Sequence, residues 1–82
     1  MVRVTMFTPP DDCSACRATK VGFDKMGIEY KVVEADDKTA EELRREGHSA
    51  FPVVRVDCGD DASWTWSGYR FDDIKRLAQL IG

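Results

Sequence analysis

The 82-residue chain predicts an α/β fold of order β-α-β-α-β-β-α, a four-stranded mixed sheet flanked by three helices, on three observations. An alternating apolar run at residues 2–7 gives way to a helical period over 14–26 and then to a second β-type run over 28–35, the signature of parallel strands joined by a right-handed crossover. Two short β-branched or aromatic runs, 51–56 and 63–66, are separated by the turn residues Cys58-Gly59-Asp60-Asp61-Ala62 and form an antiparallel hairpin. An amphipathic segment over 71–80 closes the chain.

The first strand, 2–7, has few polar positions, as expected of a strand in the middle of a small sheet. Thr8-Pro9-Pro10 ends it, and the prolines make the following loop stiffer than a glycine loop. In the helix over 14–26, Ala15, Ala18, Gly22, Phe23 and Met26 recur at spacings of three and four, a small-residue face suited to packing on a sheet. Gly27 is its expected stop. The second strand centres on Tyr30-Lys31-Val32-Val33.

Thr39-Ala40-Glu41-Glu42 fits a capping box with Thr39 as the cap, so the second helix is expected to start there and run to about Glu46, before Gly47. With only Ala40 and Leu43 as an apolar stripe, it should be thin and peripheral. Pro52 opens the third strand, where its missing N–H does no harm. Alternation in the fourth strand puts Trp64 and Trp66 on one face. The last helix carries Ile74, Leu77, Ala78 and Ile81 as its stripe, with Asp72 and Asp73 in its positively polarised first turn.

Residues 1–82 are expected to form one domain with a modest core, since a chain this short buries only about 60 to 65% of its unfolded surface. With 43% hydrophobic and 33% charged residues, it is too apolar to be disordered and too interrupted to span a membrane. The alternating N-terminus does not read as a signal peptide. Three cysteines, an odd number, fit a reduced intracellular protein better than a secreted disulfide scaffold, and a cytoplasmic monomer is expected. A net charge of -3 and scattered basic residues argue against nucleic acid as a partner.

Cys13 and Cys16 are the candidate chemistry. Two thiols at i and i+3, the first at the mouth of a helix, lie close enough to pair through one turn. The first then faces the unpaired N–H groups of that turn, a setting that can pull a cysteine pKa from ~8.5 into the range of roughly 3.5 to 7.5. Cys13 is the expected nucleophile, and Cys16, one turn deeper, the resolving thiol. Asp11 and Asp12 oppose a thiolate at Cys13, and Arg17 and Lys20 oppose them in turn. A zinc site would need two more ligands, and the spare candidates, His48 and Cys58, form no second chelating pair, so no metal is expected. His48 reads as a solvated loop residue and Cys58 as a bystander thiol. Phe7 and Tyr69 fit either the edges of the core or an apolar rim around the thiols.

The element order, the Cys-x-x-Cys at the first helix and the proline opening the third strand resemble the thioredoxin superfamily. Cys16-Arg17-Ala18-Thr19-Lys20, Phe51-Pro52-Val53-Val54 and above all Trp66-Ser67-Gly68-Tyr69-Arg70 resemble the NrdH redoxins, a glutaredoxin-like family, over nearly the whole chain. The resemblance implies a thioredoxin/glutaredoxin-like fold and a small dithiol/disulfide oxidoreductase with no bound cofactor. Its electrons would come from NADPH through thioredoxin reductase and pass from a redox-active Cys13–Cys16 disulfide to a class Ib ribonucleotide reductase or other protein disulfides. It further implies a cis Phe51–Pro52 bond that frees the Phe51 backbone to pair with an extended partner segment; Pro52, Ser14, Ala15, Phe7, Gly68 and Tyr69 are the other partner contacts expected. Trp66, Ser67, Gly68 and Arg70 would tether the start of the last helix near the site by hydrogen bonds. The chain departs from the family at Ala15, commonly glutamine, at Phe71, commonly proline, and in a loop before Cys13 about one residue longer. A glutathione-dependent glutaredoxin is the rival reading, against which Ser14-Ala15 replaces the Pro-Tyr typical of that group, and a non-enzymatic binding module whose thiols ligate metal or merely pack is the third.

Overall fold

Local chemistry fixes where the elements begin and end. A computed structural model describes residues 2–10, 13–59 and 63–81; the expectations placed on Asp11 and Asp12, and on the turn residues 60–62, lie outside them. In chain order the elements are β1 Arg3–Thr8, α1 Ser14–Met26, β2 Lys31–Glu34, α2 Asp37–Arg45, β3 Val53–Asp57, β4 Ser63–Ser67 and α3 Phe71–Ile81. This is the expected order, with α1 ending at Gly27 as expected.

Gly27 adopts φ 69°, a left-handed geometry that glycine alone enters freely, and its N–H bonds to the Asp24 carbonyl. The Ile28 N–H then turns back to the carbonyl of Phe23 at 2.9 Å, which closes the helix end. That bond helps explain why β2 starts at Lys31 and not at residue 28, since the backbone donor of Ile28 serves the helix and its side chain the core.

The cap of α2 differs from the capping-box expectation. Asp36 is the N-cap: its carboxylate accepts the Thr39 N–H at 2.7 Å, which places Thr39 inside the helix at its third position. This bond holds the Asp36 pKa below its ordinary value of 3.8. As expected of a thin helix, α2 fully buries only Leu43.

The strands lie in the order β2-β1-β3-β4. β1 runs parallel to β2, with Phe7 opposite Val33, and antiparallel to β3, with Phe7 opposite Val53. β4 returns antiparallel to β3, with Trp66 opposite Val54. The C-terminal ends of β1, β2 and β4 and the N-terminal end of β3 therefore share one edge of the molecule.

One face of the sheet presents Val4, Met6, Val54, Val56 and Trp66 to Phe23, Ile74 and Leu77 of the packed helices α1 and α3. The two tryptophans share that face, their ring centres 5.1 Å apart. α1 turns Cys16, Thr19 and Phe23 inward, a rotation from the small-residue stripe expected: Ala15, Ala18 and Gly22 are half-buried and Met26 is exposed. Thr19 tolerates complete burial because its hydroxyl donates to the Ala15 carbonyl at 2.7 Å. In α3, Ile74 and Leu77 are buried as expected, whereas Ile81 at the helix end is 47% exposed. The opposite face carries α2, tied to it by the Arg55–Glu46 ion pair at 3.1 Å.

Candidate active site

Cys13 is the N-cap of α1, with extended backbone (φ -141°, ψ 111°), and Ser14 opens the helix. Extended geometry turns the sulfur back over the first helical turn, where it accepts the Cys16 N–H at 3.2 Å. The chain thus uses a cysteine where helices ordinarily place a serine, threonine or aspartate. Cys13 and Cys16 are disulfide-paired, their Cα atoms 5.2 Å apart.

The two sulfurs are unequal in access. Cys13 is half-buried, whereas Cys16 is 4% exposed, one turn along on the side of the helix that meets the core. Ser14 is exposed and Ala15 half-buried between them. The arrangement offers an incoming group one sulfur and holds the other behind it.

The second wall is the start of β3. The Phe51–Pro52 peptide bond is cis, as the resemblance implied. The Phe51 carbonyl oxygen stands 3.9 Å from Cys13 Sγ, within reach of a cysteine thiol as donor. Pro52 is buried and has no N–H, so the chain loses no hydrogen bond there.

The structure brings Gly68 to this wall and divides the remaining expected residues. The Gly68 N–H donates to the Pro52 carbonyl at 2.8 Å, joining the end of β4 to the loop beside the disulfide, with Gly68 at φ 78°. Ser67, opposite Val53 in the ladder, leads into that bond. Trp66 lies in the core, where its indole N–H has no hydrogen-bond partner among the described residues. The Arg70 guanidinium meets Asp73 at 3.6 Å on the first turn of α3. The hydrogen bond seen between this run and the site is therefore a main-chain one. A glycine between a strand and a helix was the signal for it, since the turn needs positive φ.

Tyr69 is 45% exposed and Phe71, in the next turn, 47% exposed, so aromatic surface lies beside the Pro52 loop. Phe7 lies on the other face of the sheet, half-buried, with the Arg55 guanidinium 5.6 Å from its ring centre. That cover was not anticipated; its signal was the shared alternation of Phe7 and Arg55 on neighbouring strands. Among the described residues no group of three or more His, Cys, Asp or Glu side chains could hold a metal ion, and no helix is long and apolar enough to cross a membrane.

Comparison with known proteins gives the same picture. The glutaredoxin family model matches residues 4–58. The chain is 37% identical over 76 residues to the glutaredoxin-like protein NrdH of Salmonella typhimurium, covering 90% of this chain and 86% of that one. Its structure is similar to that of the glutaredoxin-like NrdH-redoxin of Escherichia coli, which is described as having a thioredoxin-like activity profile: TM-score 0.75, 38% identity, 92% of this chain and 93% of that one. The oxidised thioredoxin of Plasmodium falciparum shares the fold at a TM-score of 0.63 and 16% identity, over 98% of this chain and 80% of that one.

Proposed function

Because this chain belongs to the glutaredoxin family as an NrdH-like thiol-disulfide oxidoreductase, we propose that it takes electrons from NADPH through thioredoxin reductase and passes them to protein disulfides, that of a class Ib ribonucleotide reductase foremost. The observation that carries this reading is the likeness to the Escherichia coli NrdH-redoxin over 92% of the chain, because that protein is described as thioredoxin-like in activity.

The reduced protein begins the cycle with Cys13 as thiolate. The Cys16 N–H that points at its sulfur, and the polarised first turn of α1, favour the anion over the thiol. Cys13 Sγ attacks one sulfur of the partner disulfide, forming a mixed disulfide and expelling the partner's other sulfur as a thiolate. Cys16 then gives up its proton and attacks Cys13 Sγ. The Cys13–Cys16 bond forms, the mixed disulfide breaks and the second partner sulfur leaves, so two electrons have passed to the partner, whose two thiolates take up the Cys16 proton and one from solvent. Thioredoxin reductase reverses the change at Cys13–Cys16.

Ser14, Ala15, Phe51, Gly68 and Tyr69 form the partner-contacting surface in this proposal, and the buried Pro52 acts from behind it by setting the Phe51 main chain beside Cys13. Phe51, beside Cys13, offers main chain to an extended segment of the partner, a short strand pairing that would hold the target sulfur over Cys13. Phe7 extends that surface from the other face.

A coupled assay of NADPH oxidation tests the assignment. Protein disulfide reduction should proceed with thioredoxin reductase and be little supported by glutathione with glutathione reductase. Equal turnover with both would move the assignment to a glutathione-dependent glutaredoxin. Cys13→Ser should abolish activity, and Cys16→Ser should accumulate a mixed disulfide with the partner, visible as a reductant-sensitive adduct on a gel.

A further inference from the structure

We propose that β4 is a self-pairing edge, by which two copies of this chain join antiparallel into one continuous sheet. β4 ends the sheet, so among the described residues one side of its backbone has no strand beside it. The direction of its backbone groups follows from the ladder. Gly68 donates to Pro52, and hydrogen-bonded pairs recur at every second position of an antiparallel ladder. Trp66 opposite Val54 and Trp64 opposite Val56 therefore direct their backbone groups at β3. Ser63, Thr65 and Ser67 direct theirs outward.

The strand reads Ser-Trp-Thr-Trp-Ser in both directions. A two-fold axis perpendicular to the sheet, placed between Thr65 and Thr65 of a second copy, sets Ser63 against Ser67 and Trp64 against Trp66. The outward groups then meet in register, with about six main-chain hydrogen bonds, two at each Ser–Ser or Thr–Thr pair. Side chains stay on matching faces, because paired residues differ by an even number of positions. Proteins commonly block such an edge with charge or proline. β4 carries neither, whereas the other edge strand, β2, begins and ends on the charged residues Lys31 and Glu34.

Charge on α3 favours the same pairing. Its first turn holds the exposed Asp72, Asp73 being paired with Arg70 of the same chain, and its next turn holds Lys75 and Arg76. The Arg76 guanidinium lies 5.7 Å from the ring centre of Trp64, so the basic turn overlies β4. The two-fold axis runs the two copies of α3 antiparallel, turning the acidic turn of each toward the basic turn of the other. Each Ser67 end lies beside the Pro52 wall of its own site, so antiparallel pairing puts the two disulfides at opposite ends of the widened sheet. Both stay open to protein partners. The joined surface is small beside the ~1,600 Å² of a standard interface, so the dimer is weak and concentration-dependent. A monomer, the expectation from sequence, is then the dilute form.

Sedimentation velocity of the oxidised chain, from micromolar to millimolar concentration, tests this with Thr65→Glu and Thr65→Lys. At the axis each substitution faces its own copy, so like charges meet. The wild-type chain should shift toward the dimer as concentration rises. Each variant alone should associate roughly five- to tenfold more weakly, and an equal mixture of the two should regain the dimer. Disulfide reduction by each variant should match the wild type, which shows the fold intact. A wild-type chain that stays monomeric at millimolar concentration, the result expected if the edge serves an extended segment of another protein, overturns the proposal. So do variants that associate as well as wild type, or a mixture that stays monomeric.

Discussion

On the α1/α3 face of the sheet, Val4, Met6, Phe23, Val54, Val56, Ile74 and Leu77 interlock out of reach of solvent. On the α2 side, the buried Leu43 and Val53 stand outside that cluster, and the helix is fastened by an exposed ion pair. The site joins the thick side to the sheet: Cys16 turns into the α1 side, while Cys13 meets the start of β3. The difference teaches that one face supplies the stability that holds two sulfurs in place, while the other is free to vary.

The sharpest test of that contrast is Phe23→Ala. Phe23 is fully buried, with its ring centre 5.0 Å from Tyr30 and 6.4 Å from Trp66. Truncation should cost about 3 to 5 kcal/mol, most of the stability of a chain this small. Urea titration followed by far-UV circular dichroism should show the unfolding midpoint moved sharply toward low urea.

Leu43→Ala is the matching change beneath α2. The usual range for such a truncation is about 2 to 5 kcal/mol, and the low end is expected because a thin helix on a sparsely packed face can settle into the space left. Its urea midpoint should fall less than that of Phe23→Ala, and disulfide reduction should persist. A larger loss than at Phe23 would overturn the contrast between the faces.

Legibility in the sequence followed the same division. The start of α1 was legible because Cys13 stands where a cap is needed before an uninterrupted helical period, and its end because Gly27 supplies the positive φ. The cap of α2 was misjudged: the capping-box pattern pointed to Thr39, whereas Asp36, three residues earlier, takes the role because its carboxylate accepts the Thr39 N–H. The inward face of α1 was misjudged because Thr19 looks polar, yet it hides its hydroxyl against the Ala15 carbonyl. At the site, the two thiols and Pro52 were readable as a pattern. A tether at Gly68 came from the resemblance alone, and its partner, the Pro52 carbonyl, was not readable, because the bond joins main-chain atoms and leaves no side-chain signature beyond the glycine.

Glu46→Gln should have a smaller effect than either truncation. Arg55 and Glu46 remain 42% and 51% exposed, so solvent screens their attraction, and the loss should stay within about 1 kcal/mol. The thermal midpoint should move little, and added salt should narrow the gap between variant and wild type. A loss comparable to Leu43→Ala would mean that charge, and not Leu43, fastens α2.

The smallest global effect is expected at Asp36, and it has a defined direction in pH. The Thr39 N–H stabilises the carboxylate and lowers its folded pKa, so the cap contributes fully above the unfolded value near 3.8 and is lost as pH falls through the folded value. The Thr39 amide resonance should therefore titrate with a midpoint below 3.8, and amide exchange within α2 should quicken across that window before the sheet responds. Asp36→Asn keeps an acceptor without the charge, so it should preserve the helix at neutral pH and remove this titration. Asp36→Ala should loosen α2 at every pH while leaving α1 and the disulfide protected. Exchange that quickens in α1 at the same pH would show that the two faces do not respond separately.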